Sequence, residues 1–359
     1  MTSVPVRPAT PVREDLADLE GYHSPQVAVD VRLNTNESPY PPPAAWREAF
    51  LEELASVPFH RYPDREATAL RTALGEVHGV GAEQVFAANG SNEVLQALCL
   101  AYGGRRRTVA VFEPTYALHS HIARITGAEV VVGERRPDFA LDLGQARSVL
   151  AESQPALTFL CSPNNPTGTV DSAEDTAAVV DAAPGLVVVD EAYGQFSPRS
   201  AVGDVAAGLP LVVVRTFSKT WALAGLRLGY CVAPPEVVAD LRRVALPYHL
   251  DAAKQAAGRL ALRFQAEMEA RVGALVRERE RLVAALDGMA VDVWPSGANF
   301  VLLRPRGRDG ADVWQALVER SVLVRNCSTW PRLAGCLRVT VGTPEEDDAF
   351  LAALGEVLS

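Results

Sequence analysis

The sequence predicts an α/β protein: a large, doubly wound, mainly parallel sheet of seven strands followed by a smaller α+β unit. Three observations predict it. From about residue 84, seven short apolar runs alternate with helical stretches; a long Ala-, Arg- and Glu-rich stretch comes next; and three further strand-like runs surround one more helical pattern. Apolar runs without polar alternation, separated by helices, belong to strands buried on both faces, as in a parallel sheet covered by crossover helices.

In chain order, residues 1–41 read as an N-terminal arm packing with the smaller unit. Ser38-Pro-Tyr-Pro-Pro-Pro43 reads as an extended crossing, because each proline fixes φ and disfavours helix in the residue before it. Residues 42–245 read as the large domain. Its strands are expected at Gln84-Val-Phe-Ala-Ala88, Val109-Ala-Val-Phe112, Val130-Val-Val132, Leu157-Thr-Phe-Leu-Cys161, Leu186-Val-Val-Val189, Leu211-Val-Val-Val214 and Gly229-Tyr-Cys-Val-Ala233. Residues 246–359 read as the small C-terminal domain. It opens with a helix over residues 251–287, bent or broken at Gly258 or Gly273. Strands at Asn299-Phe-Val-Leu-Leu303, Val322-Leu-Val-Arg325 and Cys336-Leu-Arg-Val-Thr-Val341 then surround a helix near residues 311–321.

Composition narrows the function. The 359 residues carry a net charge of −10, and the one short basic run, Arg105-Arg-Arg107, reads as a solvated turn, so no nucleic-acid partner is expected. No apolar run approaches the roughly 20 residues that span a bilayer, and the first twenty residues lack a signal-peptide core, so no membrane partner and a cytoplasmic location are expected. Five scattered cysteines without metal-ligand spacing read as reduced and structural, and no metal is expected.

Ligands of open α/β sheets bind beyond the carboxyl ends of the strands. After Val214 comes Thr216-Phe-Ser-Lys-Thr-Trp-Ala-Leu-Ala-Gly-Leu-Arg227, which sets Lys219 among hydroxyls with an arginine eight positions on. Burial depresses a lysine's pKa and frees a nucleophilic amine, while hydroxyls and a guanidinium suit a phosphate; pyridoxal phosphate meets both requirements. Other strand ends supply the remainder. Asn89-Gly-Ser-Asn92 offers a glycine turn and free amides at a helix start, Pro114-Thr-Tyr116 an aromatic ring, Ser162-Pro-Asn-Asn-Pro-Thr-Gly168 a projecting amide, and Asp190-Glu-Ala-Tyr193 a carboxylate at the end of a buried run. Taken singly, Tyr116 reads as core and Asp190 as half of a structural ion pair. Their convergence at one sheet edge argues for a site. His119 and His121, at i and i+2 on a helix, cannot face one metal, and read as surface or satisfied core with no role.

These segments, in this order, resemble the fold-type I, aspartate aminotransferase-like family of pyridoxal-phosphate enzymes over nearly the whole chain. Leu33-Asn-Thr-Asn-Glu-Ser-Pro-Tyr40, His60-Arg-Tyr-Pro63, the segment from Arg215 to Arg227 and Gly335-Cys-Leu-Arg-Val-Thr-Val-Gly342 resemble its histidinol-phosphate aminotransferase branch. Gly90-Ser-Asn92 stands where the branch usually has Gly-Ala-Asp, and Asn326 where an aspartate often follows the arginine.

The resemblance implies Lys219 as the cofactor-bearing amine and proton carrier. Asp190 would bind the pyridine nitrogen, Tyr193 and Asn165 the phenolic oxygen, and Tyr116 the ring face. Gly90, Ser91, Asn92, Thr216, Ser218 and Arg227 would surround the phosphate, and Tyr62 would reach the neighbouring subunit's cofactor in an obligate homodimer. Arg338, with Tyr22, Asn165 and Arg325, would hold the anionic end of the substrate. The implied reaction converts histidinol phosphate and 2-oxoglutarate to imidazole-acetol phosphate and glutamate. An aromatic amino-acid aminotransferase, a decarboxylase of phosphorylated amino acids and a non-catalytic regulatory module stay open as alternatives.

Overall fold

The structure, a computed structural model, describes residues 12–17, 19, 21 and 27–359. The large sheet consists of β2 to β8, which follow β1 (Val31–Leu33) in the chain: β2 (Val85–Ala88), β3 (Thr108–Glu113), β4 (Glu129–Glu134), β5 (Leu157–Cys161), β6 (Leu186–Asp190), β7 (Leu211–Thr216) and β8 (Gly229–Val232). All seven expected runs are strands, in the spatial order β2-β8-β7-β6-β5-β3-β4. β8 runs antiparallel to both β2 and β7, and the four pairs from β7 to β4 are parallel. Side-chain alternation divides the apolar runs between two cores. Leu211 and Val213 of β7 face one with Val187, Val189 and Phe112, while Val212 and Val214 face the other with Val188, Val111 and Phe159. Burial on both faces is what removed polar alternation from six of the runs; β4 departs from that expectation, because it lies at the sheet edge and leaves Val132 46% exposed.

The second sheet has the order β1-β11-β12-β10-β9, with β9 (Val291–Val293), β10 (Phe300–Pro305), β11 (Val322–Asn326) and β12 (Leu337–Thr340). β1 joins parallel to β11, so the segment before the proline crossing is a strand of this sheet. The crossing leads straight into helix Ala44–Ser56, whose N-cap is Pro43 in extended conformation.

The helix expected over residues 251–287 does break, but at neither glycine. Helix Ala252–Ala261 passes through a 3-10 turn, Leu262–Phe264, into helix Gln265–Asp287. Gly258 sits inside the first helix for a packing reason: a Cβ there would lie 2.4 Å from Leu228 Cδ2 and 3.0 Å from Leu70 Cδ1. Leu260, Leu262 and Met268, on both sides of the break, pack into the core of the large sheet, whereas Leu275 and Leu282 join that of the small one. The bend thus follows the passage from one core to the other.

Candidate active site

The carboxyl ends of β5, β6 and β7 open into a cavity of about 230 Å³, closed on its other sides by the segment after β1, by β12 and by the start of helix Ser91–Tyr102. At one end stands an anion cradle. Gly90 holds φ +86° and the helix after it has no side-chain cap, so its first amides are free to meet an anion. Ser91, Asn92, Thr216, Ser218 and Arg227 line this end, and Arg227 Nη1 donates to Ser218 Oγ at 3.0 Å. A Cβ on Gly90 would lie 2.8 Å from Arg227 Nη2, so glycine is what lets the guanidinium close over the helix start.

Asp190 terminates β6 with 2% of its surface exposed. Its Oδ1 accepts from the Ala192 amide and its Oδ2 lies 3.0 Å from His119 Nε2. His119 is wholly buried, stacked on Phe159 at 4.8 Å and edge-on to Tyr116 at 5.3 Å. The core reading of His119 holds, but its ring is satisfied on one side only: Nε2 meets the carboxylate of the cavity, while Nδ1 is buried without a hydrogen-bond partner among the described residues. Tyr116 lines the wall above Asp190, its hydroxyl donating to Asn92 Oδ1 at 3.2 Å.

Lys219 reaches the cavity centre, where Nζ donates to the Thr35 carbonyl at 3.0 Å and lies 5.7 Å from the Tyr193 ring. Burial first, then the positive charge of Arg338, pulls its pKa down to about 7, leaving much of the amine neutral at that pH. Tyr193, pushed up to about 12 by burial, keeps its proton and its hydroxyl accepts from Asn36 Nδ2 at 2.9 Å. Arg338, on β12, donates to Asn165 Oδ1 at 2.6 Å and to the Asn34 carbonyl at 2.9 Å, tying the Ser162–Gly168 turn to the second sheet.

Eleven of the expected side chains thus line one cavity, and Gly90 lies beneath it. Arg325 is buried directly across the ladder from Arg338, its guanidinium 5.2 Å from the Trp330 ring, outside the cavity wall. Tyr62 stands at the surface, 80% exposed and stacked on Tyr248 at 4.5 Å. Tyr22 lies outside the described residues. Asn34, Thr35 and Asn36 went unassigned in the sequence, although their motif was visible there. They meet Arg338, Lys219 and Tyr193 only because β1 docks beside β11.

The donor set fits a phosphorylated pyridine aldehyde. A carboxylate-free cradle of hydroxyls, amides and a guanidinium suits the phosphate, Asp190 a pyridinium, Tyr116 a flat ring and Lys219 an aldehyde carbon. The model of the aminotransferase class I and II family matches residues 28–354. The chain is 46% identical to the histidinol-phosphate aminotransferase of Frankia casuarinae, over 97% of this chain and 90% of that protein. It is also 46% identical to that of Streptomyces avermitilis, over 97% and 96%. The crystal structure of a putative histidinol-phosphate aminotransferase from Erwinia carotovora superposes with a TM-score of 0.85 at 26% identity, covering 92% of this chain and 98% of that one.

Proposed function

The chain belongs to the aminotransferase class I and II family, as a pyridoxal-phosphate-dependent transaminase, and from that premise we propose that it exchanges an amino group between histidinol phosphate and 2-oxoglutarate, giving imidazole-acetol phosphate and glutamate. The observation that carries the reading is the buried Lys219 amine, set between a phosphate cradle on one side and the Arg338 guanidinium on the other. Pyridoxal phosphate, when bound, supplies the electron sink that makes the substrate α-proton acidic.

The chain's own residues do the rest. Lys219 presents a partly neutral amine near pH 7 that would bear the cofactor's aldehyde carbon and, when free, take the substrate α-proton on Nζ. Asp190, held by His119, would pair with the pyridine nitrogen of the bound cofactor. Tyr193 and Asn165 would bind the phenolic oxygen, Tyr116 would cover the ring, and Ser91, Asn92, Thr216, Ser218 and Arg227 would hold the phosphate. Arg338 presents a planar fork that accepts either a carboxylate or a phosphate, so one group serves both substrates; Arg325 adds a second positive charge across the ladder.

The working unit is a homodimer in this reading. Phe59, Tyr62, Leu246 and Tyr248 form an exposed, largely aromatic patch that a second copy would cover, bringing Tyr62 to the partner's phosphate. Five free, buried cysteines support a reducing, cytoplasmic location. The test is a single-turnover absorbance titration of the cofactor-loaded protein. Conversion to the aminated cofactor by histidinol phosphate and glutamate, with none by phenylalanine, supports the assignment; conversion by phenylalanine and glutamate alone replaces it with an aromatic aminotransferase.

A further inference from the structure

Beyond Arg325 and Arg338 the β11–β12 ladder continues by one pair that holds two thiols. The register Arg325↔Arg338, Asn326↔Leu337 brings Cys327 opposite Cys336, and the Cys327 amide donates to the Cys336 carbonyl at 3.0 Å. The Cys336 amide donates instead to the Leu333 carbonyl, so a single cross-strand bond joins the pair at the end of the ladder; directly opposed residues of an antiparallel pair have Cα atoms about 4.5–5.5 Å apart, within the roughly 4.4–6.8 Å that a disulfide spans. Directly opposed side chains share a face, so both thiols lie on the face that carries the two arginines. Both belong to one small apolar cluster with Leu333, Leu302 and Phe139.

The pair closes the neck of a hairpin whose tip is exposed at Thr329, Pro331, Arg332 and Ala334. Within the tip, backbone bonds run only in single turns: Trp330 to Cys327, Leu333 to Trp330 and Cys336 to Leu333. Trp330, which carries the Arg325 guanidinium on its ring, is part of that tip.

We propose that Cys327 and Cys336 are a thiol–disulfide pair whose oxidation latches the hairpin bearing the anion-binding arginines. The oxidant is a low-molecular-weight disulfide. One protein thiolate attacks it and expels a small thiol, and the second then displaces the other small thiol from the mixed disulfide. Two S–H bonds are lost, one S–S bond forms, and two electrons and two protons leave with the small thiols. Burial pushes both thiols up to about 11, while the nearby arginines oppose that rise at Cys327, so reaction awaits opening of the tip. Once joined, the strand ends are held covalently as well as by Leu333 in the core and Arg332 on the Arg135 carbonyl, so the arginines lose less freedom on meeting an anion.

The test treats the full-length, cofactor-loaded protein with oxidised glutathione, alkylates free thiols, and maps peptides before and after dithiothreitol. The expected result is a reversible 327–336 link, with Cys99, Cys161 and Cys231 still alkylated after unfolding. The KM for histidinol phosphate should fall severalfold at unchanged kcat, and Cys327→Ser and Cys336→Ser should each retain activity and lose the response. Absence of the link, or a link that leaves KM where it was, overturns the proposal. The kinetic arm rests on the proposed substrate, whereas the mapping does not, so a protein that links but turns over no histidinol phosphate would refute the substrate and leave the thiol pair standing.

Discussion

At the residue scale, the chemistry depends on groups whose burial would be unfavourable without a partner. Lys219 is enclosed between Arg338 and Arg227, and its depressed pKa follows from that enclosure. Lys219→Ala should fold and still absorb cofactor, yet lose transamination by at least the roughly 10²–10⁴-fold that a positioned base supplies; amino transfer at anything near the parent rate would remove it from the mechanism. His119→Phe retains the ring on Phe159 and deletes the bond to Asp190, leaving a buried carboxylate short of one donor. A cost of about 1–3 kcal/mol is expected. The distinguishing readout is spectroscopic: the pH midpoint of the bound cofactor's absorbance should shift, whereas a purely structural histidine would lower only the melting temperature.

At the element scale, the cradle depends on how closely β8 approaches the start of helix Ser91–Tyr102. A Cβ on Gly229, the first residue of β8, would lie 2.3 Å from the Ser91 amide nitrogen, a backbone atom that cannot step aside. Gly229→Val should therefore push the helix start away from Arg227. Stability should drop by about 1–3 kcal/mol, and cofactor affinity should fall with it; equilibrium titration of the apoprotein with pyridoxal phosphate checks this, and unchanged affinity would mean that the cradle tolerates the displacement. The break at Leu262–Phe264 teaches a related lesson. Gly258 and Gly273 are the weak helix formers in residues 251–287, but the turn falls where the chain leaves one core for the other.

At the scale of the whole molecule, stability should depend on pH through Asp347. Its side chain is fully buried against Glu278, Oδ1 accepts from the Gly342 amide at 3.0 Å, and burial raises its pKa to about 8. The folded state thus holds a proton that the unfolded chain releases near pH 4. The contribution is fully present below that pH, declines as pH rises, and is lost above about 8, a change of a few kcal/mol at most. Denaturant unfolding between pH 5 and 9 should show this decline, and Asp347→Asn should flatten it; parallel curves for the two proteins would contradict the shared proton. On the proposed homodimer, activity should also fall on dilution in step with a sedimentation-measured dimer fraction, and a fully active monomer would overturn the shared-site reading.

The sequence alone determined the seven strands, six of them buried, their alternation with helices, and the residue types that stand at their carboxyl ends. Apolar runs, turn residues and a lysine among hydroxyls are local signals, and the parallel α/β architecture converts strand ends into a common edge. Only the tertiary structure decided what joins that edge from elsewhere. Asn36 meets Tyr193 across 157 positions and Arg338 meets Asn165 across 173, contacts set by docking one sheet on the other rather than by any local pattern. His119 belongs with them: its i, i+2 spacing to His121 pointed away from a shared metal, and only the packing of its helix on β3 and β4, with the ring stacked on Phe159, put Nε2 on Asp190. Local periodicity encodes elements, whereas a buried polar pair is encoded by two distant residues whose only link is the fold that brings them together.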